Sequence, residues 1–263
     1  MVTPQPPSLA AARTATRILF RLILLSVMLI ALPRAAFAQQ SGSLLIWPVN
    51  PVIEGDAKAA ALWLENPGKA PATLQVRIFA WAQQDGRNTY APQNDVIGSP
   101  PIFTIEPGQR QLVRLTRLTP PPGVPQQAFR VIVDEVPTGD GNALPGAAVS
   151  FRMRYSLPLF ALAARRKGQD SLADPAPQLS WRLGSDPDGR FVEVHNKGDG
   201  HARLTNVSLS QGTKMQSFAT GLLGYVLPGA WMRWPLPPDV DAGGELVASV
   251  NGGEPARIER RRE

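Results

Sequence analysis

One stretch of the sequence alternates so regularly between apolar and polar residues that it limits the folds open to the chain. In AAVSFRMRYSLPLF, at residues 147–160, every second residue up to Tyr155 is apolar. This is the period of a β-strand with one apolar and one polar face. At about 3.3 Å per residue the alternating part spans roughly 30 Å, longer than a usual strand. Such a strand closes the core of its own domain or offers its apolar row to a partner that adds a strand beside it, and we favour the second interpretation.

The first 38 residues have the pattern of an export signal. Three arginines within residues 13–21 precede an apolar run at 22–32, and AFA at 36–38 places small residues at the two positions that a signal peptidase reads. An uncleaved membrane anchor is the weaker alternative, because about 11 apolar residues fall short of the roughly 20 that span a bilayer. We therefore predict a signal peptide at 1–38, an exported mature chain, and no membrane insertion after cleavage.

Composition narrows both the partners and the chemistry. Four of the 27 basic residues lie in the signal, so 23 remain against 21 acidic residues, and the net charge falls from +6 to +2. The terminal basic run at 260–262 is typical of a solvated tail and no dense basic stripe is present elsewhere, so nucleic-acid binding is not predicted. Cysteine is absent from the chain, which excludes disulfides, a thiolate metal site and a cysteine nucleophile.

Turn residues punctuate short apolar runs along the whole mature chain. The 27 prolines and 23 glycines favour an all-β protein. Pro48 and Pro51 interrupt the first run, and because proline donates no ladder hydrogen bond, we expect that strand to lie at an edge or to change sheets there. Asp85-Gly86 is a hairpin signal. Strands are predicted at 57–65, 72–83, on either side of a turn at 106–108, and at 128–136.

The spacing of these runs indicates two domains. About seven short strands over residues 41–162 suit an immunoglobulin-like sandwich. Residues 163–177 carry three basic residues, two aspartates and two prolines, a composition typical of a linker. We therefore predict an all-β chain with two immunoglobulin-like β-sandwich domains, the second and smaller at 178–258, followed by a charged tail at 259–263. Its strands are expected at 179–183, 191–195, 202–209, 224–227, 231–236 and 246–250.

Several runs of the sequence resemble a known family. SPPIFTIEPGQRQLVRL at 99–115, AFRVIVDEVP at 128–137 and the alternating strand after it are similar to the amino-terminal domain of PapD-like periplasmic pilus-assembly chaperones. FVEVHNKGDGHARLTNVSLS followed by VLPGAWMRWPL is similar to the second domain of that family. The LPLF ending at 157–160 and the DEVP exit at 134–137 look most like the archaic, Csu-type branch of the chaperone-usher systems. The resemblance covers essentially the whole mature chain.

What the resemblance implies is donor-strand complementation. In that family the subunit is an immunoglobulin-like domain without its last strand, and the chaperone fills the groove until an outer-membrane usher exchanges its strand for the next subunit's extension. The implied partners are therefore a pilin or fimbrial subunit and the usher. No cofactor is expected, since strand exchange needs no nucleotide and the chain has no G-x-x-x-x-G-K-[ST] loop. Self-association of the free chain through its exposed edge stays open. Carried over by position, the donor residues are Ala147, Val149, Phe151, Met153 and Tyr155.

The resemblance also implies an anchor for the terminal carboxylate of the subunit. Where better-known members carry an arginine and a lysine, this chain has Asn50 and Ser156, and neither is cationic. Because an unpaired carboxylate in a cleft is costly, nearby cations must hold it. Arg130, on the preceding strand, and Arg154, on the same face as Ser156, are the candidates for a bidentate contact. The alternatives that Arg152 and Arg154 are only a solvated strand face, and that the apolar row is ordinary core, stay open.

The remaining signals do not support catalysis or a metal site. His195 and Glu193 share a strand face, but a site with His201 is not predicted, because single histidines at strand ends commonly serve structure. The DPDG run at 186–189 is explained by a plain β-turn rather than a calcium loop. No G-x-S-x-G, H-E-x-x-H or CxxC motif occurs, so we predict no catalytic residue and no enzyme. The alternative function is a secreted immunoglobulin-like surface or adhesive protein, and a hydrolase is a distant third.

Overall fold

A computed structural model describes residues 44–120, 123–136, 152–163, 175–241 and 243–261. Within these ranges the chain forms β-strands joined by turns and contains no helix, which confirms the predicted all-β class. None of these residues lies in a helix with the length and hydropathy that crossing a membrane requires.

The first ten strands form a sandwich of two sheets. One sheet has the order β1-β3-β8-β6, and the other has the order β2-β10-β9-β4-β5 with β7 beside β4. Because successive residues of a strand point to opposite faces, alternate side chains of β4, β9 and β10 fill the space between the sheets. Leu62, Leu115, Val131 and Leu159 are fully buried there. The strands are β1 (Leu45–Trp47), β2 (Val52–Ile53), β3 (Ala59–Glu65), β4 (Ala72–Gln84), β5 (Arg87–Ala91), β6 (Val96–Ser99), β7 (Ile102–Ile105), β8 (Arg110–Arg117), β9 (Gln126–Glu135) and β10 (Arg154–Leu162).

The proline-interrupted first run changes sheets, one of the two predicted outcomes, and its two short strands also lie at sheet edges, the other outcome. β1 pairs antiparallel with β3, so that Trp47 lies opposite Trp63. β2 pairs parallel with β10 in the other sheet, with Val52 opposite Phe160. The two prolines, at positions 48 and 51, lie between these short strands, where neither has to donate a ladder hydrogen bond.

The other eight strands form a second sandwich. Its sheets have the orders β15-β12-β11-β18 and β14-β13-β16-β17. Trp181, Val194, Leu204 and Leu246 are fully buried between them. The strands are β11 (Leu179–Asp186), β12 (Gly189–Asn196), β13 (Ala202–Gln211), β14 (Lys214–Val226), β15 (Trp231–Pro235), β16 (Glu245–Val250), β17 (Pro255–Arg257) and β18 (Glu259–Arg260).

Several elements differ from the predicted strands, and their exposure explains why. β5 is exposed along its whole length and largely polar, so no apolar run marks it. β14 has thirteen residues, whereas only residues 224–227 were expected, because its first half lies at a sheet edge and mixes polar and apolar residues without regular alternation. β7 and β8 flank the predicted turn but belong to different sheets. Glu259 and Arg260, which we assigned to the charged tail, pair with β11 although both side chains are exposed.

Aromatic side chains join the two sandwiches. Trp81 of β4, Phe160 of β10 and Leu227 form a small buried cluster between them. The Gln83 side chain donates to the Tyr225 carbonyl at 2.9 Å and accepts from the Leu227 amide at 2.8 Å. Trp81 lies on the face of β4 opposite the core of the first sandwich and is only 4% exposed, because the second sandwich covers that face.

Candidate functional site

β10 has a long edge that no described strand covers. On one side it pairs with β9 along its whole length, from Arg154 opposite Asp134 to Leu162 opposite Gln126. On the other side, β2 pairs only with Phe160 and Ala161. In the described part of the chain, residues 154–159 therefore have no strand beside them on this side. We call this stretch the open edge. An uncovered edge with unpaired backbone groups is a template for an added strand.

The backbone of the open edge has its hydrogen-bonding groups directed outward at alternate positions. The Glu135 amide donates to the Met153 carbonyl at 3.1 Å, so the odd-numbered residues of β10 bond to β9. The even-numbered residues point the other way, as the Phe160 amide shows by donating to the Pro51 carbonyl at 3.2 Å. Arg154 and Ser156 thus offer both an N–H and a C=O to an incoming strand. Pro158 offers only a carbonyl, which suits an edge.

The apolar row of the predicted donor strand divides at the start of β10. Leu157 and Leu159 are buried in the core of the first sandwich. Tyr155 packs against that core, and its hydroxyl accepts a hydrogen bond from the Leu44 amide at 2.9 Å. Met153 belongs to the same row of odd-numbered residues, but it is 40% exposed. The other predicted donor residues, Ala147, Val149 and Phe151, lie outside the described residues.

The outer face of β10 begins with an ion triad. Asp134 of β9 accepts hydrogen bonds from Arg154 of β10 and from Arg77 of β4, the latter at 2.6 Å from Nη2. Burial acts to raise the pKa of Asp134, but the hydrogen bonds from Arg154 and Arg77 outweigh it and hold the pKa below its ordinary value. Arg154, one of the two predicted anchor cations, is therefore already paired with a carboxylate of its own chain.

Arg130, the other predicted cation, is in a different position. Its guanidinium lies 3.9 Å from the Trp81 ring centroid and 6.0 Å from those of Tyr90 and Tyr225. No carboxylate of the described residues forms an ion pair with it, and its buried Nε has no hydrogen-bond partner. Burial lowers the pKa of Arg130, although the two tyrosines act to raise it. A half-buried guanidinium with an unused donor is suited to an anion.

The two positions that correspond to the family's cations lie close to Arg130 in the sheet. Ser156 is exposed on β10, next to Pro158, and Pro158 lies directly opposite Arg130 on β9. Asn50 is exposed just before β2, which pairs with the following part of β10. The structure thus places Ser156 and Arg130 on neighbouring strands of one sheet, and Asn50 two residues before a third strand of that sheet. The aromatic surround of Arg130 was missed, because its three rings come from β4, β5 and β14 and no local motif joins them.

The histidines serve separate structural contacts. His195 Nε2 lies 2.7 Å from Oε1 of Glu193. Arg182 also donates to Oε1, and Arg233 donates to Oε2 of the same carboxylate. His201 stacks on Phe160 in the other sandwich, and burial and the nearby Arg203 lower its pKa to about 4. In the described residues, no group of three or more His, Asp or Glu side chains is arranged to hold a metal ion.

Comparison with protein families gives one match. Residues 47–162, which cover the first sandwich from the end of β1 to the end of β10, match the family described as "Pili and flagellar-assembly chaperone, PapD N-terminal domain". No curated protein sequence matches the chain.

Solved structures similar to this chain extend over both sandwiches. One is the CsuC–CsuE chaperone–tip adhesion subunit pre-assembly complex from the archaic chaperone-usher Csu pili of Acinetobacter baumannii, with 30% identity, coverage of 84% of this chain and 100% of that chain, and a TM-score of 0.66. The Pseudomonas aeruginosa CupB2 chaperone has 19% identity over 81% of this chain and 97% of its own, with a TM-score of 0.53. The complex of the Salmonella enterica SafA pilin with the SafB chaperone has 19% identity over 84% and 98%, with a TM-score of 0.58. At 19% identity the last two show a shared fold.

Proposed function

The chain belongs to the family of PapD-like pilus-assembly chaperones, and we propose that it binds its pilus subunit through the open edge of β10 and the donor segment that precedes it. We take the donor segment to be residues 147–153. Tyr155, which we predicted at the end of the donor row, packs against its own sandwich, so we place it outside this segment.

The observation that supports this proposal is the uncovered edge of residues 154–159. A subunit strand that pairs there gains main-chain hydrogen bonds from Arg154, Ser156 and Pro158 in proportion to the length of the pairing. The apolar residues of the donor segment would enter pockets of the subunit at every second position, which sets the register. Full burial of each large donor side chain contributes about 1.5 to 3 kcal/mol before the ordering costs are subtracted.

We propose that Arg130 is the main anchor for the terminal carboxylate of the subunit. Its guanidinium is held against Trp81 and has a buried donor without a partner, so a carboxylate can bind without displacing an existing ion pair. Arg154 is the weaker candidate, because Asp134 already accepts its hydrogen bond. Ser156, on β10, and Asn50, just before β2, are neutral, and we assign them at most an additional hydrogen bond.

The setting that we propose for this function is the periplasm. The signal-like segment at 1–38 would direct export, and an outer-membrane usher would then receive the chaperone–subunit complex. Strand exchange breaks and forms only hydrogen bonds and apolar contacts, so we propose no catalytic residue and no cofactor. Periplasmic fractionation of cells that make the full chain tests the location directly, and recovery with the outer membrane or the medium would favour a surface protein.

The decisive experiment is co-expression of the chain with subunits encoded beside its gene. We expect a one-to-one complex in the periplasmic extract. Val149→Asp and Phe151→Asp should each weaken it at least about tenfold, because a charge cannot be buried in an apolar pocket without a partner. Ser150→Asp is the matched control, since it puts the same charge on the alternate face of the predicted strand. Wild-type binding by Phe151→Asp would refute the donor assignment.

A further inference from the structure

Among the described residues, the ladder between β9 and β10 ends where the open edge begins. Glu135 N–H donates to the Met153 carbonyl, and this is the last described backbone hydrogen bond from β9 to β10 in this direction. Arg154, the first residue of β10, directly follows Met153 in the chain. Ends of ladders open most readily, because they have the fewest contacts to lose. Any opening here would displace Met153 and the start of the open edge.

Asp134 connects three strands at this level. It lies directly opposite Arg154 of β10 and opposite Gln75 of β4, and each of its carboxylate oxygens contacts a different arginine. Arg77 of β4 donates from both Nε, at 3.2 Å, and Nη2, at 2.6 Å, to one oxygen. Arg154 of β10 donates to the other. The Asp134 side chain is 16% exposed, whereas those of Arg77 and Arg154 are 43% and 67% exposed.

A single exposed ion pair contributes little, because water competes for both partners. Asp134 differs from that case in two respects: its own side chain is largely buried, and Arg77 holds it in place from the opposite side of β9. The Asp134 carboxylate is therefore already oriented, so its hydrogen bond with Arg154 does not carry the entropy cost of ordering the aspartate side chain. The core residues Leu157 and Leu159 keep the rest of β10 in register, so the effect of the triad is confined to the strand's first residues.

We propose that Asp134 is a positioning residue, which holds the first residues of β10 on β9 and so presents the open edge in its binding-competent form. The inference rests on the proposed function and adds to it a residue that need not contact the subunit. An edge that is ordered in advance removes part of the entropy cost of adding a strand. Loss of the Asp134 carboxylate would therefore weaken or slow subunit binding without removing any contact to the subunit.

Amide hydrogen exchange in the free chaperone tests the inference without any subunit. In Asp134→Asn, we expect the protection factor of the Glu135 amide to fall about three- to tenfold, the range for losing one oriented ion pair. Protection of Val131, which lies opposite Leu157 in the same ladder, should not change. Asp134→Glu should recover part of the Glu135 protection. The matched control is Asp241→Asn, which removes an ion pair with Lys214 in the second sandwich.

The same variants are then mixed with the subunit. Association of Asp134→Asn should be slower or weaker by a factor similar to the loss of Glu135 protection, and Asp241→Asn should bind like the wild type. Unchanged Glu135 protection in Asp134→Asn overturns the inference, and so does lost protection with unchanged binding. A wild-type chain that binds no subunit would refute the proposed function instead, because the exchange result in the free protein does not depend on it.

Discussion

The Phe160 ring lies flat against the His201 imidazole, with centroids 3.6 Å apart and ring planes 9° apart. Phe160 belongs to β10 of the first sandwich, and His201 immediately precedes β13 of the second. The strand that carries the open edge at its start therefore holds the second sandwich near its end. The side-chain oxygen of Gln126, on β9, accepts a hydrogen bond from His201 Nδ1–H at 2.8 Å, which fixes the imidazole in this position.

Phe160→Ala should destabilise the protein by about 3 to 5 kcal/mol, the usual cost of deleting a buried phenylalanine ring. Phe160 is 1% exposed and contacts Trp81, Tyr225 and His201, so the cavity would lie between the sandwiches. Urea unfolding of the mature chain measures the loss. Met215→Ala removes a side chain that is 60% exposed on β14 and should change the unfolding free energy little. Equal stability of Phe160→Ala and the wild type would mean that this contact does not form.

His201 should make stability depend on pH. Its pKa is about 4 in the folded protein, because it is buried and lies near Arg203, against an ordinary value of 6.5. Between these values the unfolded chain binds a proton that the folded chain does not, so the free energy of unfolding falls as pH drops from about 6.5 to 4. The loss should reach at most about 3 kcal/mol.

The pH effect of His201 is isolated by comparison with His201→Phe, which keeps a flat ring but cannot titrate. The difference in unfolding free energy between the two proteins should change over this pH range, whatever its value at neutral pH. Parallel pH profiles would show that the imidazole titrates alike in the folded and unfolded chains. Carboxylates such as Asp134 titrate in both proteins, so their contributions cancel in the difference.

Local patterns predicted much of the fold, because they depend only on neighbouring residues. The apolar run at 72–83 correctly predicted β4, and Pro48 with Pro51 correctly marked the change of sheets. The length of β14 was wrong, since an exposed edge needs no apolar residues to form a strand once β13 pairs with it. The predicted assembly-chaperone family is confirmed by the comparisons with known proteins.

The site could be predicted less well, because its contacts join residues that are distant in the sequence. The sequence placed Arg130 and Arg154 on adjacent strands but could not show that only one is paired with a carboxylate. That distinction depends on the register that puts Asp134 opposite Arg154, and on Arg77 of a third strand. The burial of Trp81 depends on the second sandwich, whose Tyr225 lies more than a hundred residues away. The donor residues Ala147, Val149 and Phe151 stay a prediction.

Arg130 should decide whether the protein distinguishes a free carboxylate from an amide at the subunit's end. Competition with the subunit's C-terminal peptide measures this, with the peptide made as the acid and as the amide. The wild type should prefer the acid by roughly 10- to 100-fold, the range for a charge-assisted hydrogen bond. Arg130→Met should lose the preference, whereas Arg154→Met should keep most of it. If Arg154→Met alone loses the preference, the two arginines have the reverse roles.

Glu193 should be the most costly ionisable residue to remove from the second sandwich. It is 2% exposed and accepts hydrogen bonds from Arg182 at 2.6 Å and from Arg233 at 3.3 Å. Burial acts to raise the pKa of Glu193, but hydrogen bonds from Arg182, His195 and Arg233 lower it overall. The folded protein therefore favours the charged carboxylate, and the stability that this carboxylate contributes is lost only as pH falls through the lowered pKa.

Glu193→Ala leaves two arginines beside a buried gap, and we expect a loss of about 3 to 5 kcal/mol in the free energy of unfolding at neutral pH. Glu193→Gln keeps the shape and two of the hydrogen-bond acceptor sites, so its cost should be clearly smaller. Asp241→Ala, which breaks the exposed pair with Lys214, should cost less than about 1 kcal/mol.

Because Glu193 lies on β12, away from β10, none of these variants should change subunit binding at temperatures where they stay folded. A cost for Glu193→Ala no greater than that for Asp241→Ala would show that the Glu193 network is solvated rather than buried.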